Sequence, residues 1–144
     1  VLKELKEDGQ GDCAFLMVDI DDFKLINDTH GHNFADKVLM EISQMFLRSL
    51  RKRDLVGRIG GEEFGLILSN VDQERMRLAS ERIKTQIERM DFVNEKGESV
   101  RVTVSIGAHL FNGDDSIENI TYRADQAMYQ SKNNGKNQVM VSNG

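Results

Sequence analysis

Two acidic features of this chain are placed to do chemistry. Asp19 interrupts an otherwise apolar run at residues 14–20, and Glu62 and Glu63 lie in Gly60-Gly61-Glu62-Glu63-Phe64, between two short apolar runs. A carboxylate among apolar neighbours is costly unless it is paired or binds a cation. Two glycines permit a tight turn and close approach of a ligand to the backbone. Each feature alone has an ordinary reading: a helix cap or salt-bridged strand end for Asp19, a polar turn for the glutamates. Together they point to a metal site. Carboxylates from separate segments suit Mg²⁺, a hard ion usually held by one or two carboxylates plus substrate phosphates. Two such ions, about 3.5–4 Å apart, can activate an attacking oxygen and stabilise a leaving one.

The elements that must position these acids follow from the hydrophobic pattern. Residues 14–20 predict a buried central strand. Residues 21–29 predict a short helix or turn. Phe34, Val38, Leu39, Ile42, Met45, Phe46 and Leu50 recur at three- and four-residue spacing, which predicts an amphipathic helix over 33–50. Runs at 55–59 and 64–68 around the double glycine predict a β-hairpin. Asp72 is a candidate N-cap for a helix carrying Met76, Ala79, Ile83, Ile87 and Met90. A strand is expected over 100–110, paired with Phe92 and Val93 through a turn at Lys96-Gly97. Ser116 is a candidate cap for a third long helix, ended by Gly135, with a last strand at 138–141. The order β-α-(α)-β-β-α-β-α-β implies an α+β layer fold, a largely antiparallel sheet with helices packed on it. In a βαββ arrangement the end of the first strand lies beside the hairpin tip, so Asp19 and Glu62 are expected to converge.

Composition excludes several function classes. A length of 144 residues suits one domain. A net charge of -5 makes bulk electrostatic binding of a nucleic-acid polymer a poor reading. An acidic protein that handles phosphates needs cations to offset the repulsion. The single cysteine, Cys13, excludes an internal disulfide and fits a cytosolic setting. No apolar run approaches the roughly 20 residues of a membrane span. The opening at Val1 suggests a fragment of a longer protein. Residues 1–12 read as the end of an upstream helix or linker, and 13–144 as the catalytic domain.

Four blocks then carry a resemblance over about residues 12–141. Gly60-Gly61-Glu62-Glu63-Phe64 resembles the signature of the GGDEF diguanylate cyclase family in its GGEEF variant. DIDDFKLINDTHGHNFAD, residues 19–36, resembles the family's first block. Val102-Thr103-Val104-Ser105-Ile106-Gly107 is similar to its VTVSIG strand, and ADQAMYQSK, residues 124–132, to its ADxALYxAK helix. The resemblance implies a palm-like α+β domain, ferredoxin-like in derivation, of the nucleotidyl cyclase and polymerase-palm type. It implies condensation of two GTP into cyclic di-GMP with release of two pyrophosphates. Asp19, the Ile20 carbonyl and Glu62 would hold two Mg²⁺ or Mn²⁺ ions per active site. Asn27 and Asp36 would bind guanine, whose N1–H and amino donors match an Asp acceptor. Lys132 and Lys136 would neutralise the triphosphate, Phe23 and Lys24 would contact phosphates, and Gly60 and Gly61 would leave room for the nucleotide. Glu63 would support the metal site or position the substrate. Each domain would hold one GTP, so the partner is a second copy facing it antiparallel. A sensory or receiver domain would lie upstream. The expected location is the cytoplasm, with membrane anchoring of a parent protein left open.

Arg51 and Asp54 fit the RxxD pattern of the family's inhibitory cyclic di-GMP site, five residues before the signature, and Arg82 is a candidate second arginine. The ordinary reading is a basic helix end. Three positions depart from the family: Ala35 stands for Gly, Lys136 for Arg, and His30 for an aromatic, where packing is the expected role. None removes a metal ligand. The alternatives are a catalytically silent cyclic di-GMP receptor, a cyclase of different base choice, a plain dimerising module, and a polymerase palm. Retention of Asp19, Glu62, Glu63, Lys132 and Asp36 speaks against the first three, and the absence of a basic template groove against the last.

Overall fold

The computed structural model describes residues 11–142. The expected upstream segment falls mainly on residues outside that range. Strand β1 (Asp12–Ile20) is the centre of a five-stranded sheet. It pairs antiparallel with β3 (Glu63–Val71) on one side and β6 (Val104–Phe111) on the other. The short β2 (Leu55–Arg58) lies outside β3, and β7 (Val139–Val141) lies outside β6, parallel to it. The mostly antiparallel sheet agrees with the order read from the sequence.

Alternation along β1 gives each face its own partner. Ala14, Leu16, Val18 and Ile20 enter the main core with α2 (His32–Ser49) and α3 (Gln73–Glu88). Cys13, Phe15 and Met17 turn to the opposite face, against α4 (Ile117–Asn133) and its residues Ile120, Ala124 and Met128. Asp19 continues this second series, so its carboxylate is delivered to the α4 side. A short α1 (Phe23–His30) leads into α2 through Gly31, at φ 91°. His30 packs as expected, with its ring 5.2 Å from that of Phe34.

The expected caps form. The Asp72 side chain accepts from Arg75 N–H at 2.8 Å, and the Ser116 hydroxyl oxygen accepts from Asn119 N–H at 3.1 Å. The strand expected over 100–110 is instead two. Strand β5 (Ser99–Val100) pairs with β4 (Phe92–Val93) in a separate hairpin, and β6 starts afresh at Val104 opposite Ile20. The chain changes pairing partner between them, which a continuous apolar pattern does not reveal.

Gly107 in β6 explains how closely α4 lies on the sheet. A Cβ there would fall well inside contact with the backbone of Ala124 and Met128. Backbone cannot yield as a flexible side chain does, so Gly107→Ala is expected to cost about 2 kcal/mol or more by overpacking. Urea unfolding checks this; an unchanged midpoint would mean that α4 stands off the strand.

Candidate active site

At the carboxyl end of β1 the predicted acids come together. Asp19 is the cross-strand partner of Glu63. The next residue, Ile20, donates its N–H to the Glu62 carbonyl at 3.2 Å, which fixes the hairpin tip against the strand end. Within the tip, Ile59 and Gly60 both donate N–H to the Glu63 carbonyl, at 2.8 and 3.3 Å. A Cβ on Gly60 would lie 2.9 Å from Glu63 Oε1, so the missing side chain is what admits the folded-over carboxylate. Nothing lies within 4 Å of where a Gly61 side chain would begin.

The counter-charge comes from the opposite layer. Lys132, in the last turn of α4, places Nζ 3.4 Å from Asp19 Oδ1, 3.3 Å from the Ile20 carbonyl and 2.8 Å from Asp21 Oδ1. Burial pushes the Asp19 carboxyl up to about 6; Lys132 opposes that shift, and Glu62 and Glu63 add to it. Lys136 pairs with Asp22 at 2.5 Å.

This donor set fits a hard divalent cation. The Asp19 carboxylate and the Ile20 carbonyl already converge on one point of positive charge, the Lys132 ammonium, and Glu62 is tied beside them. Among the described residues no three His, Cys, Asp or Glu side chains form a ready-made cage. A site of two carboxylates and a carbonyl is the kind that Mg²⁺ completes with water and substrate phosphate.

The remaining predicted residues fall in two other places. Asn27 on α1 and the exposed Asp36 on α2 flank the Gly31 junction. Asp36 Oδ2 lies 3.3 Å from His32 Nε2. Ala35 is buried in the helix stripe. Phe23 packs on the main core and Lys24 is exposed, both in the first turn of α1. Arg51, Asp54 and Arg82 line a groove of about 470 Å³, away from the acids. There the Arg51 guanidinium forks onto Asp54, at 3.2 and 3.3 Å, and also donates to the Ser69 carbonyl. Asp54 Oδ1 accepts from Ser69 N–H at 3.1 Å as well, so the RxxD pair is braced against β3.

A family model described as diguanylate cyclase, GGDEF domain, matches residues 1–138. The chain belongs to the GGDEF family. Diguanylate cyclase DosC of Escherichia coli strain K12 is 39% identical over 126 residues, which are 88% of this chain and 27% of DosC. The active GGEEF domain of a diguanylate cyclase from Vibrio cholerae is similar in structure at TM-score 0.84 and 32% identity, over 94% of this chain and 85% of that one. The GGDEF domain of DgcB from Caulobacter crescentus, in complex with c-di-GMP, has TM-score 0.89 at 27% identity, over 99% and 86%. This GGDEF chain spans about a third of the length of the curated relatives it matches.

Sequence reasoning missed four residues of this GGDEF domain. Asp21, expected at the start of a short helix or turn, continues the β1 pairing by donating its N–H to the Thr103 carbonyl at 2.9 Å. It shares Asp19's parity, the one signal that pointed to it. Burial would raise its pKa, but hydrogen bonds from Lys132, Ser105 and Thr103 outweigh burial and hold the carboxyl below its ordinary value. Asp22 and its partner Lys136 both adopt left-handed backbone. Arg58 donates to the carbonyls of Gly60 and Gly61, pinning the signature turn from its own strand. Arg75, one turn into α3, adds a third arginine to the groove. No sequence pattern marked the last two.

Asp19 contributes to stability with a definite sign. Its folded pKa lies above the ordinary carboxylate value of 3.8, so its contribution is fully present below that value and is lost as pH rises through about 6. In nucleotide-free protein, Asp19→Asn is therefore expected to raise the thermal midpoint at pH 7.5, with the gain vanishing near pH 4. A gain independent of pH, or none at pH 7.5, would refute the assignment of a desolvated, acid-crowded carboxylate.

Proposed function

We propose that this domain is a diguanylate cyclase that joins two GTP into cyclic di-GMP and releases two pyrophosphates. The observation that carries the reading is the meeting of Asp19, the Ile20 carbonyl and the Glu62-Glu63 tip beneath Lys132. Relatives named diguanylate cyclase, and a neighbour solved as an active GGEEF domain, support it. Asp19, the Ile20 carbonyl and Glu62 would hold two Mg²⁺ or Mn²⁺ ions. Such ions supply charge neutralisation at the α-phosphate and a more acidic attacking 3′-hydroxyl.

The chain's own residues do the rest. Glu62 would assist as the base that takes the 3′-hydroxyl proton. Lys132 and Lys136 set positive charge against the triphosphate, which an acidic protein would otherwise repel. Gly61 leaves the turn open to close approach by the nucleotide, and Asn27 and Asp36 select guanine by hydrogen bonding. One domain supplies one GTP half-site, so turnover requires two copies facing antiparallel. Cyclic di-GMP would bind the groove of Arg51, Asp54 and Arg82 and lower activity. Residues 1–12 would connect to an upstream sensory or receiver domain. No described helix is long and apolar enough to cross a membrane, and a cytoplasmic location of the domain is part of the proposal.

The test is incubation with GTP and Mg²⁺, with chromatography for cyclic di-GMP. Product is expected from the wild type and none from Glu62→Gln. In the same assay Arg51→Ala is expected to abolish inhibition by added cyclic di-GMP while leaving initial turnover intact. No product at high protein concentration, together with tight cyclic di-GMP binding lost in Arg51→Ala, would establish the silent receptor instead.

A further inference from the structure

Asp21 is one of the most fully hydrogen-bonded side chains in the domain, yet the proposed reaction gives it no role. Its side chain is 3% exposed. Oδ1 accepts from the Ser105 hydroxyl at 2.6 Å and from Lys132 Nζ at 2.8 Å. Oδ2 accepts from the Thr103 hydroxyl at 2.7 Å and from Asn137 N–H at 3.0 Å. The four donors come from the entry to β6, from α4 and from the loop after α4. Every contact is made by a donor, so only a carboxylate satisfies both ends. An amide would turn an NH₂ onto one donor pair.

We propose that Asp21 is the positioning residue for both triphosphate-facing lysines of the cyclase reading, on which this inference rests. Lysine carries a flexible four-carbon stem and a strongly hydrated ammonium, and does not hold one position unaided. Lys132 has three oxygen neighbours, and the Asp21 contact is the shortest of them. Asp21 is also the neighbour whose own place is fixed by two hydroxyls. It aims Lys132 directly at the end of β1. It reaches Lys136 through the chain. Asn137 N–H docks on Asp21, and the preceding Lys136 N–H bonds the Ser131 carbonyl at 2.9 Å. Both residues take left-handed backbone, at φ 63° and 49°, a conformation that needs such external bonds to persist. Asp21 does not touch the reacting atoms; it acts through the cations it places.

A charge argument and a positioning argument predict opposite signs. Removing an acid beside a triphosphate tightens nucleotide binding if charge alone matters. Losing the anchor weakens it. With a non-hydrolysable GTP analogue and Mg²⁺ in calorimetry, Asp21→Asn is expected to weaken binding about tenfold, the scale of a lost charge-assisted hydrogen bond. Lys132→Met is expected to cost a similar factor, and the double variant no more than the worse single one. Ser105→Ala, which frees only Oδ1, guards against misfolding of Asp21→Asn. It should weaken binding a few-fold in the wild type and leave Lys132→Met unchanged. Unchanged or tighter binding in both Asp21→Asn and Ser105→Ala, or losses that multiply with that of Lys132→Met, would overturn the proposal. The Lys132 ammonium resonance in nucleotide-free protein decides separately: observable in the wild type and lost by exchange in the two variants, or retained in them, which also overturns it. A wild type that binds no GTP analogue would remove the cyclase reading, and the resonance would still decide whether Asp21 holds Lys132.

Discussion

Charge withheld from water at the end of a two-sided strand is the constraint on which the rest of this domain depends. β1 is central in the sheet, with the main core on one face and α4 on the other. Acids at its last positions cannot turn to solvent as they would on an edge strand. They must find cations or polar hydrogens inside the fold. Asp21 finds four, and its pKa falls. Asp19 is desolvated by burial and finds one lysine against two further acids, and its pKa rises. Two carboxylates two residues apart are thus driven in opposite directions: burial prevails at Asp19, and hydrogen bonds prevail over burial at Asp21. The fully bonded one belongs to the frame, and the frustrated one is left able to gain from a cation.

The layers divide the labour accordingly. The α2–α3 side holds most of the large buried side chains and supplies stability. The α4 side is thinner, built on Met17, Ala124 and Met128, and it delivers Lys132. The signature turn is an extension of β2 and β3, held by the Ile20–Glu62 bond and clipped by Arg58. The arginine groove lies beyond the far end of β3, where α2 runs out and α3 begins. One pair of strands therefore carries the acidic tip at one end and borders the groove at the other.

Much of this was legible in the sequence because it rests on periodicity. The amphipathic stripes of α2, α3 and α4, the capping residues Asp72 and Ser116, and the β2–β3 hairpin follow from spacing and side-chain type. So does the meeting of Asp19 with the hairpin tip, once the strand order is read. Other features were not legible because they arise from tertiary contacts between residues far apart in sequence. Asp21 resembles the start of a helix until Thr103 and Ser105 are set across from it, some 80 positions later. Arg58 and Arg75 are ordinary surface arginines until the turn and the groove give them partners. The break between β5 and β6 is hidden because both stretches are apolar enough to be one strand.

Gly107 bears on this geometry from the opposite side of the molecule's chemistry. The height of α4 above β6 is set where the helix backbone rests on a residue that has only hydrogen to offer. Lys132 rides on that helix just over a turn beyond Met128, so the same hydrogen acts as a spacer of minimum thickness beneath the ammonium. The distance between a lysine and an aspartate is in this way gauged by a residue that bears no charge and touches neither.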